Sequence, residues 1–348
     1  MDLLHTALNL FLPPAGIFFL VTISPTLAFI KACQWLLSYV FCENIYRKVV
    51  IITGASSGIG EHYVQHLAYQ YGERGARLVL VARRDDLLRR VADRARKRGA
   101  KDVLVIPADV ARKEECKRVI DETIDRFGRL DHLVNNAGVT HSFFFEEATD
   151  TSAFTPLIDI TFWGDVYPTY YALPHLRRTR GKILVTASVA SWLPYPRMSM
   201  YNSAKAAIFN LYETLRVELG SDVGVTIAMP GWIESEMTKG KFVSPEGDAA
   251  LKPEQRDVDV GPFPVAYAEE CAQAIVTGAL RGKHYVIYPF WYSTLLLYRV
   301  FAPELLEWSY RLLFVSKAPG TDEPPSKIIL KTTGAQPHLY PSSIQKAE

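Results

Sequence analysis

The chain has 348 residues and a mass of 39.2 kDa, more than one compact α/β domain requires and short for two full ones. Hydrophobic residues make up 49% and charged residues 22%, which excludes disorder over most of the length, and a net charge of +2 gives no basis for nucleic-acid binding. Four cysteines (Cys33, Cys42, Cys116, Cys271) without paired spacing exclude a disulfide scaffold and suit a reducing compartment.

In chain order, the first feature is an apolar start. Among the first 42 residues only Asp2 and Lys31 carry a full charge, and Thr6 to Ile30 is an uncharged run of 25. Apolarity around the whole helix circumference does not fit a half-buried core helix. An acidic start and the lack of a clear small-residue cleavage site do not fit a secretory signal. Pro13, Pro14 and Pro25 leave ten residues, Ala15 to Ser24, between them. A kinked spanning helix and a short hairpin dipping into one leaflet both remain open. Residues 1–47 therefore read as a membrane or lipid anchor, and Arg47 and Lys48 behind it predict a body facing the cytosol.

From Lys48 onward, β-branched apolar runs (VVIIT, RLVLVA, DVLVIPA, DHLVNN, KILVTAS, VGVTIAM) alternate with amphipathic helical patterns. This predicts an α/β fold over 48–290, a Rossmann-type doubly wound parallel sheet covered on both faces. Long helices are expected near 155–178 and 201–219. Glu234 to Pro264 lacks periodicity and predicts a mobile lid-like loop. The aromatic segment 291–316 suits either a helix completing the core or one lying at a lipid interface. Residues 317–348, proline-rich and aperiodic, predict a disordered tail.

The sharpest chemical signal is Gly54-Ala55-Ser56-Ser57-Gly58-Ile59-Gly60, directly after a strand and opening a helix. Glycines in that context let the backbone turn tightly and approach a pyrophosphate, while free helix amides and the dipole meet its charge. Arg83 and Arg84 stand at the end of the second strand, where an acidic residue would read a ribose diol; they suit a 2′-phosphate and favour NADP over NAD. Tyr201 and Lys205 lie at i, i+4 on one helix face, so an ammonium beside the phenol would lower its pKa and make Tyr201 an acid/base. Ser188, 13 positions earlier at a strand end, is placed to hydrogen-bond a developing alkoxide.

These motifs, in this order, resemble the short-chain dehydrogenase/reductase family over roughly residues 48–290, with Asp109, Asn135-Asn136-Ala137-Gly138 and Pro230-Gly231 also in place. The resemblance implies Asp109 and Val110 near the adenine, Asn135, Ala137 and Gly138 along the cofactor, and Ile233 and Ser235 at the carboxamide. It also implies Tyr201 as acid/base, Lys205 as its partner and nicotinamide-ribose ligand, and Ser188 as substrate-oxygen donor. FLPPAGIFFLVTISP, RFGRLDHLVNNAG and PGWIESEMTKGKF further resemble the plant steroleosins, the 11β-hydroxysteroid-dehydrogenase-like proteins of seed oil bodies. That resemblance implies a proline-knob anchor in a lipid monolayer, on an oil body or at the endoplasmic reticulum. It further implies a sterol or steroid alcohol as substrate, with Phe143 to Phe145, Trp192, Tyr195 and Trp232 as candidate pocket residues. A homodimer through the long helices is the family analogy.

Two positions depart from the pattern. Thr161 stands where the family has an Asn that helps hold a water linking the lysine to solvent, which puts catalytic rate in question and keeps a weakly active lipid-droplet coat protein as an alternative. About four extra residues lie between Gly60 and Arg74, about one helical turn or ~6 Å. His62 and His66 lack the flanking glutamate of a zinc-protease helix, so no metal site is expected. Ser188 lacks the nucleophile-elbow context of a hydrolase. Reduction of another apolar carbonyl is the remaining enzymatic alternative.

Overall fold

The computed structural model describes residues 2–40, 42–55, 61–246 and 249–345. It divides into two compact units, Met1–Glu43 and Asn44–Glu348.

The first unit is a single helix, α1 (Asp2–Val40), running unbroken through Pro13, Pro14 and Pro25. The interruption expected from the prolines is absent, and the hydroxyls show how one gap is filled. Pro25 has no N–H to give to the Val21 carbonyl four residues back, and the Ser24 hydroxyl donates to that carbonyl instead at 3.0 Å. Thr22 likewise donates to the Phe18 carbonyl at 2.9 Å. Its large apolar side chains are exposed, and the helix is long and apolar enough to cross a membrane or anchor to a lipid surface.

In the second unit, strands and helices alternate: β1 (Val49–Thr53), α2 (Glu61–Glu73), β2 (Arg77–Ala82), α3 (Asp85–Lys97), β3 (Asp102–Pro107), α4 (Lys113–Phe127) and β4 (His132–Asn135). The second half continues with α5 (Thr155–Ile158), a π-turn over Asp159–Trp163, α6 (Gly164–Thr179), β5 (Lys182–Thr186), α7 (Ser199–Leu219) and β6 (Gly224–Pro230). A small hairpin, β7 (Lys241–Val243) with β8 (Ala249–Leu251), precedes α8 (Pro253–Asp259), α9 (Ala268–Leu280) and β9 (Tyr285–Tyr288).

Seven strands form one parallel sheet in the order β3-β2-β1-β4-β5-β6-β9. The chain winds outward from β1 in one direction and from β4 in the other, so the carboxyl ends of these two strands form the crevice where such sheets bind ligands. Period-two alternation splits the core into two layers. Val49 and Ile51 join the layer with α4, α6 and α7, and Val50 and Ile52 join the layer with α2, α3 and α9. Both faces are covered, which explains strands that are apolar at every position.

Two expectations about the later chain are corrected. The segment 234–264 is not an aperiodic loop but carries the β7–β8 hairpin and α8. The supposed tail folds into α12 (Pro325–Thr333), α13 (Gln336–Leu339) and α14 (Ser342–Gln345), after α10 (Tyr292–Phe301) and α11 (Pro303–Tyr310). It is held by widely spaced anchors instead of a periodic stripe. Leu330, Tyr340 and Ile344 are buried; the Tyr340 hydroxyl donates to the Gly261 carbonyl at 2.8 Å, and buried Arg256 donates to the Ile344 carbonyl at 2.6 Å.

Helices α10 and α11 have two faces. Tyr292, Leu306 and Tyr310 enter the core, while Phe301 (81% exposed) and Trp308 (61% exposed) face outward with Phe290, Leu297, Val300 and Leu305.

Candidate active site

Thr53 closes β1, and its hydroxyl accepts from the Asn136 backbone N–H at 3.0 Å, tying the ends of β1 and β4 together. Gly54 follows with φ +72°, and a Cβ there would lie 2.9 Å from Ala137 Cα. Only glycine meets both the left-handed backbone and the close approach. Ser56, Ser57, Gly58, Ile59 and Gly60 lie outside the described residues.

Two cavities open along this edge of the sheet. The smaller, about 390 Å³, is lined by Gly54, Arg83, Asp109, Val110, Ala137 and Gly138, with Ala82, Ala108, Val139 and Ile160. The larger, about 720 Å³, has Ser188, Tyr201, Lys205, Ile233 and Ser235 in its wall. Gly138 belongs to both. Residues read from motifs far apart in the sequence thus gather in the walls of two adjacent cavities, a trough that meets at Gly138.

Asn135 is not among them. It is fully buried, with its amide nitrogen against the Asp165 carbonyl at 3.1 Å, the Thr169 hydroxyl at 2.7 Å and the Tyr212 hydroxyl at 2.8 Å. Its side chain ties β4 to α6 and α7, and Asn136 lines the larger cavity in its place. Strand alternation carries the signal: Asn135 shares a face with Leu133, which sits in the α4/α6/α7 core layer.

Around the larger cavity, Ser188 Oγ accepts from the Ala190 N–H at 3.1 Å and lies 3.4 Å from the Pro230 carbonyl. Tyr201 and Lys205 are both buried on α7, with the ammonium 6.0 Å from the phenol ring centroid. Burial pushes the Tyr201 hydroxyl up to about 12, with the Ser188 hydroxyl pulling the other way. The depression expected from the lysine is not seen; desolvation sets the direction of the shift. Lys205 donates to the Thr186 carbonyl at 2.7 Å. Burial lowers its pKa, and the carboxylate of Asp165 opposes that shift. Asp165 is itself buried, with no hydrogen-bond partner on either carboxylate oxygen among the described residues, and desolvation raises its pKa to about 7.

Thr161 lies in the π-turn, fully buried. Its hydroxyl accepts from the Val139 N–H and donates to the Val139 carbonyl, both at 3.1 Å. One hydroxyl therefore satisfies both backbone polar groups of Val139, the residue next to Gly138.

Of the apolar candidates, Tyr195 and Trp232 line the larger cavity, together with Met198 and Met237. Phe143 and Trp192 are core residues, Phe144 lies under the Arg197 guanidinium, and Phe145 is exposed. The cavity also includes Tyr63 and Thr186, which no motif singled out.

Comparison with known proteins agrees with this geometry. Residues 48–245 match the short chain dehydrogenase family. A protein named 11-beta-hydroxysteroid dehydrogenase from Pinus massoniana is 58% identical over 316 residues, covering 91% of this chain and 88% of that protein. An 11-beta-hydroxysteroid dehydrogenase A from Arachis hypogaea is 50% identical over 350 residues, covering 100% and 99%. Among solved structures, a short-chain dehydrogenase/reductase from Burkholderia phymatum in complex with NAD superposes with a TM-score of 0.65 at 26% identity, over 75% of this chain and 96% of that one. An alcohol dehydrogenase from Thermococcus sibiricus complexed with 5-hydroxy-NADP gives 0.57 at 28% identity, over 69% and 95%. The chain belongs to the short-chain dehydrogenase family and groups with the plant 11-beta-hydroxysteroid dehydrogenases.

Proposed function

We propose that the protein is an NADP-dependent oxidoreductase held at a lipid surface, interconverting a hydroxyl and a ketone on a sterol or steroid. The observation that carries the reading is that two cavities share Gly138 in their walls, with Arg83 lining one and Ser188, Tyr201 and Lys205 lining the other. The trough fits a dinucleotide: the Gly54–Ala137 approach leaves no room for a Cβ, and Thr186 and Trp232 present buried, unpartnered polar atoms in the larger cavity's lining. Arg83, exposed beside Asp109, supports a 2′-phosphate over a bare ribose diol.

When bound, the nicotinamide supplies the hydride acceptor or donor. Ser188 would hold the substrate oxygen, and Tyr201, kept protonated by burial, would donate its proton to that oxygen in reduction; in oxidation its phenolate would take the proton from the hydroxyl. Lys205, fixed by the Thr186 carbonyl, supplies positive charge beside the phenolate as it forms. Thr161 fixes the backbone of Val139, next to Gly138, through its two hydrogen bonds. Tyr195, Met198, Trp232 and Met237 give the substrate end an apolar lining suited to a sterol ring system.

The lipid setting is supported by α1 and by the exposed aromatic face of α10 and α11. With Arg47 and Lys48 following the anchor, the catalytic unit would face the cytosol, on a lipid droplet or the endoplasmic reticulum. The test is a panel of steroid and other lipid alcohols and ketones, each assayed with NADP(H) and NAD(H). Turnover of a steroid alcohol with NADP+ is expected, and its loss in Tyr201→Phe. Turnover that survives the substitution refutes the mechanism, and exclusive turnover of an acyclic carbonyl refutes the substrate class.

A further inference from the structure

The larger cavity has polar groups in its lining that the reaction above does not use. Tyr63, in the first turn of α2, is 2% exposed, and Thr186 ends β5; their buried hydroxyls face each other, neither has any other hydrogen-bond partner among the described residues, and a bond between them would use only one of their two hydrogens. An unmade hydrogen bond in a dry site is costly, so two such groups in one wall indicate a ligand that completes them. Tyr63 packs in the same core layer as Ala55, just after the glycine turn, and Ile233, at the carboxamide position. Tyr195 and Met198 belong to the opposite core layer, so Tyr63 enters the cavity wall from the other face of the sheet. Desolvation holds its pKa well above the ordinary value, so the phenol stays a hydrogen-bond donor. It also lies in the stretch after Gly60 that is about four residues, or one turn, longer than the family pattern.

We propose that Tyr63 and Thr186 form a hydroxyl pair that binds the nicotinamide half of the dinucleotide, Tyr63 donating to an oxygen of its phosphate or carboxamide and Thr186 completing the contact. The added turn of α2 brings this donor into the cavity. The inference rests on the dinucleotide reading of the trough.

The experiment measures binding to the full chain in detergent, with no turnover required. NADPH is followed by its fluorescence, and 2′,5′-ADP, which occupies only the adenosine end, by calorimetry. Tyr63→Phe and Thr186→Val should each weaken NADPH binding by about tenfold, the loss of one hydrogen bond, while 2′,5′-ADP binds as before. Urea unfolding of Tyr63→Phe should stay close to the unmodified chain, because its hydroxyl faces only that of Thr186 and makes no other bond. NADPH binding within about twofold of the unmodified chain in both variants overturns the proposal, and so does an equal loss for both ligands, which would mark a structural role. An unmodified chain that binds 2′,5′-ADP but neither NADPH nor NADH overturns the assignment alone, and one that binds none of the three overturns the dinucleotide reading beneath it.

Discussion

Thr161→Val replaces a hydroxyl by a methyl of nearly the same size at a fully buried position. The change in packing is small and the change in hydrogen bonding is large. Both bonds to Val139 disappear, leaving its N–H without an acceptor and its carbonyl without that donor. At about 1 kcal/mol each, the loss comes to about 2 kcal/mol, or about thirtyfold in the folding equilibrium. Because Val139 follows Gly138, the two cavities should loosen where they meet, and NADPH affinity should fall with stability. Urea unfolding followed by tryptophan emission measures the first effect, and NADPH fluorescence the second. Thr161→Ser keeps the hydroxyl and should stay close to the unmodified chain. A Thr161→Val protein within about 0.5 kcal/mol of the unmodified chain would refute the reasoning. Thr161→Asn addresses catalysis separately: a gain of more than about tenfold in kcat would show that the hydroxyl is a deficient substitute.

Arg83→Glu should lower kcat/KM for NADP+ while sparing NAD+, changing their ratio by about ten- to hundredfold, the worth of one charge-assisted contact; an unchanged ratio would mean that Arg83 does not read the 2′ position. Gly54→Ala forces a side chain into a left-handed backbone against Ala137 and should lower NADPH affinity by more than about tenfold in a direct binding measurement. Asp259 is buried beside Ser142 and Gln255, and desolvation pushes its pKa up to about 7, against the pull of Ser142, Arg197 and Gln255. The folded chain holds that proton after the unfolded chain has released it near its ordinary value, so the stabilisation is present below about pH 4 and lost as pH rises to about 7. The thermal midpoint should therefore fall between about pH 4 and 7, and fall less in Asp259→Asn; equal slopes would contradict the assignment.

The sheet was legible because strands buried on both faces are apolar throughout, and the candidate site because the motifs that hold Ser188, Tyr201 and Lys205 keep their spacing and line one cavity. What escaped the sequence depends on orientation or on long-range packing. Asn135 and Asn136 are adjacent, and only the pleat decides which faces the core and which the cavity. Tyr63 reads as one more aromatic on an amphipathic helix until α2 is placed against β5. The C-terminal helices have too few buried residues to form a stripe, and their anchors are single contacts to α8 and Gly261. The prolines of α1 predict a break because sequence reasoning counts the missing N–H without the neighbouring hydroxyl that replaces it.

Helices α10 and α11 serve the cavity and the outer surface at once. Tyr310 packs edge-on against Tyr195 in the cavity lining, with ring centroids 5.3 Å apart, and Tyr292 fills the space beside Gly231, where a Cβ would sit 2.0 Å from its ring. On the opposite side the same helices carry Phe301 and Trp308 into the surroundings. If the proposed substrate lies against Tyr195, a change in what covers that outer face would reach the substrate's wall through the width of one helix. For a ligand dissolved in lipid, the relevant concentration is then its mole fraction in the surface layer. Apparent KM would rise when the same amount of substrate is diluted with inert lipid, even though its amount per litre is unchanged.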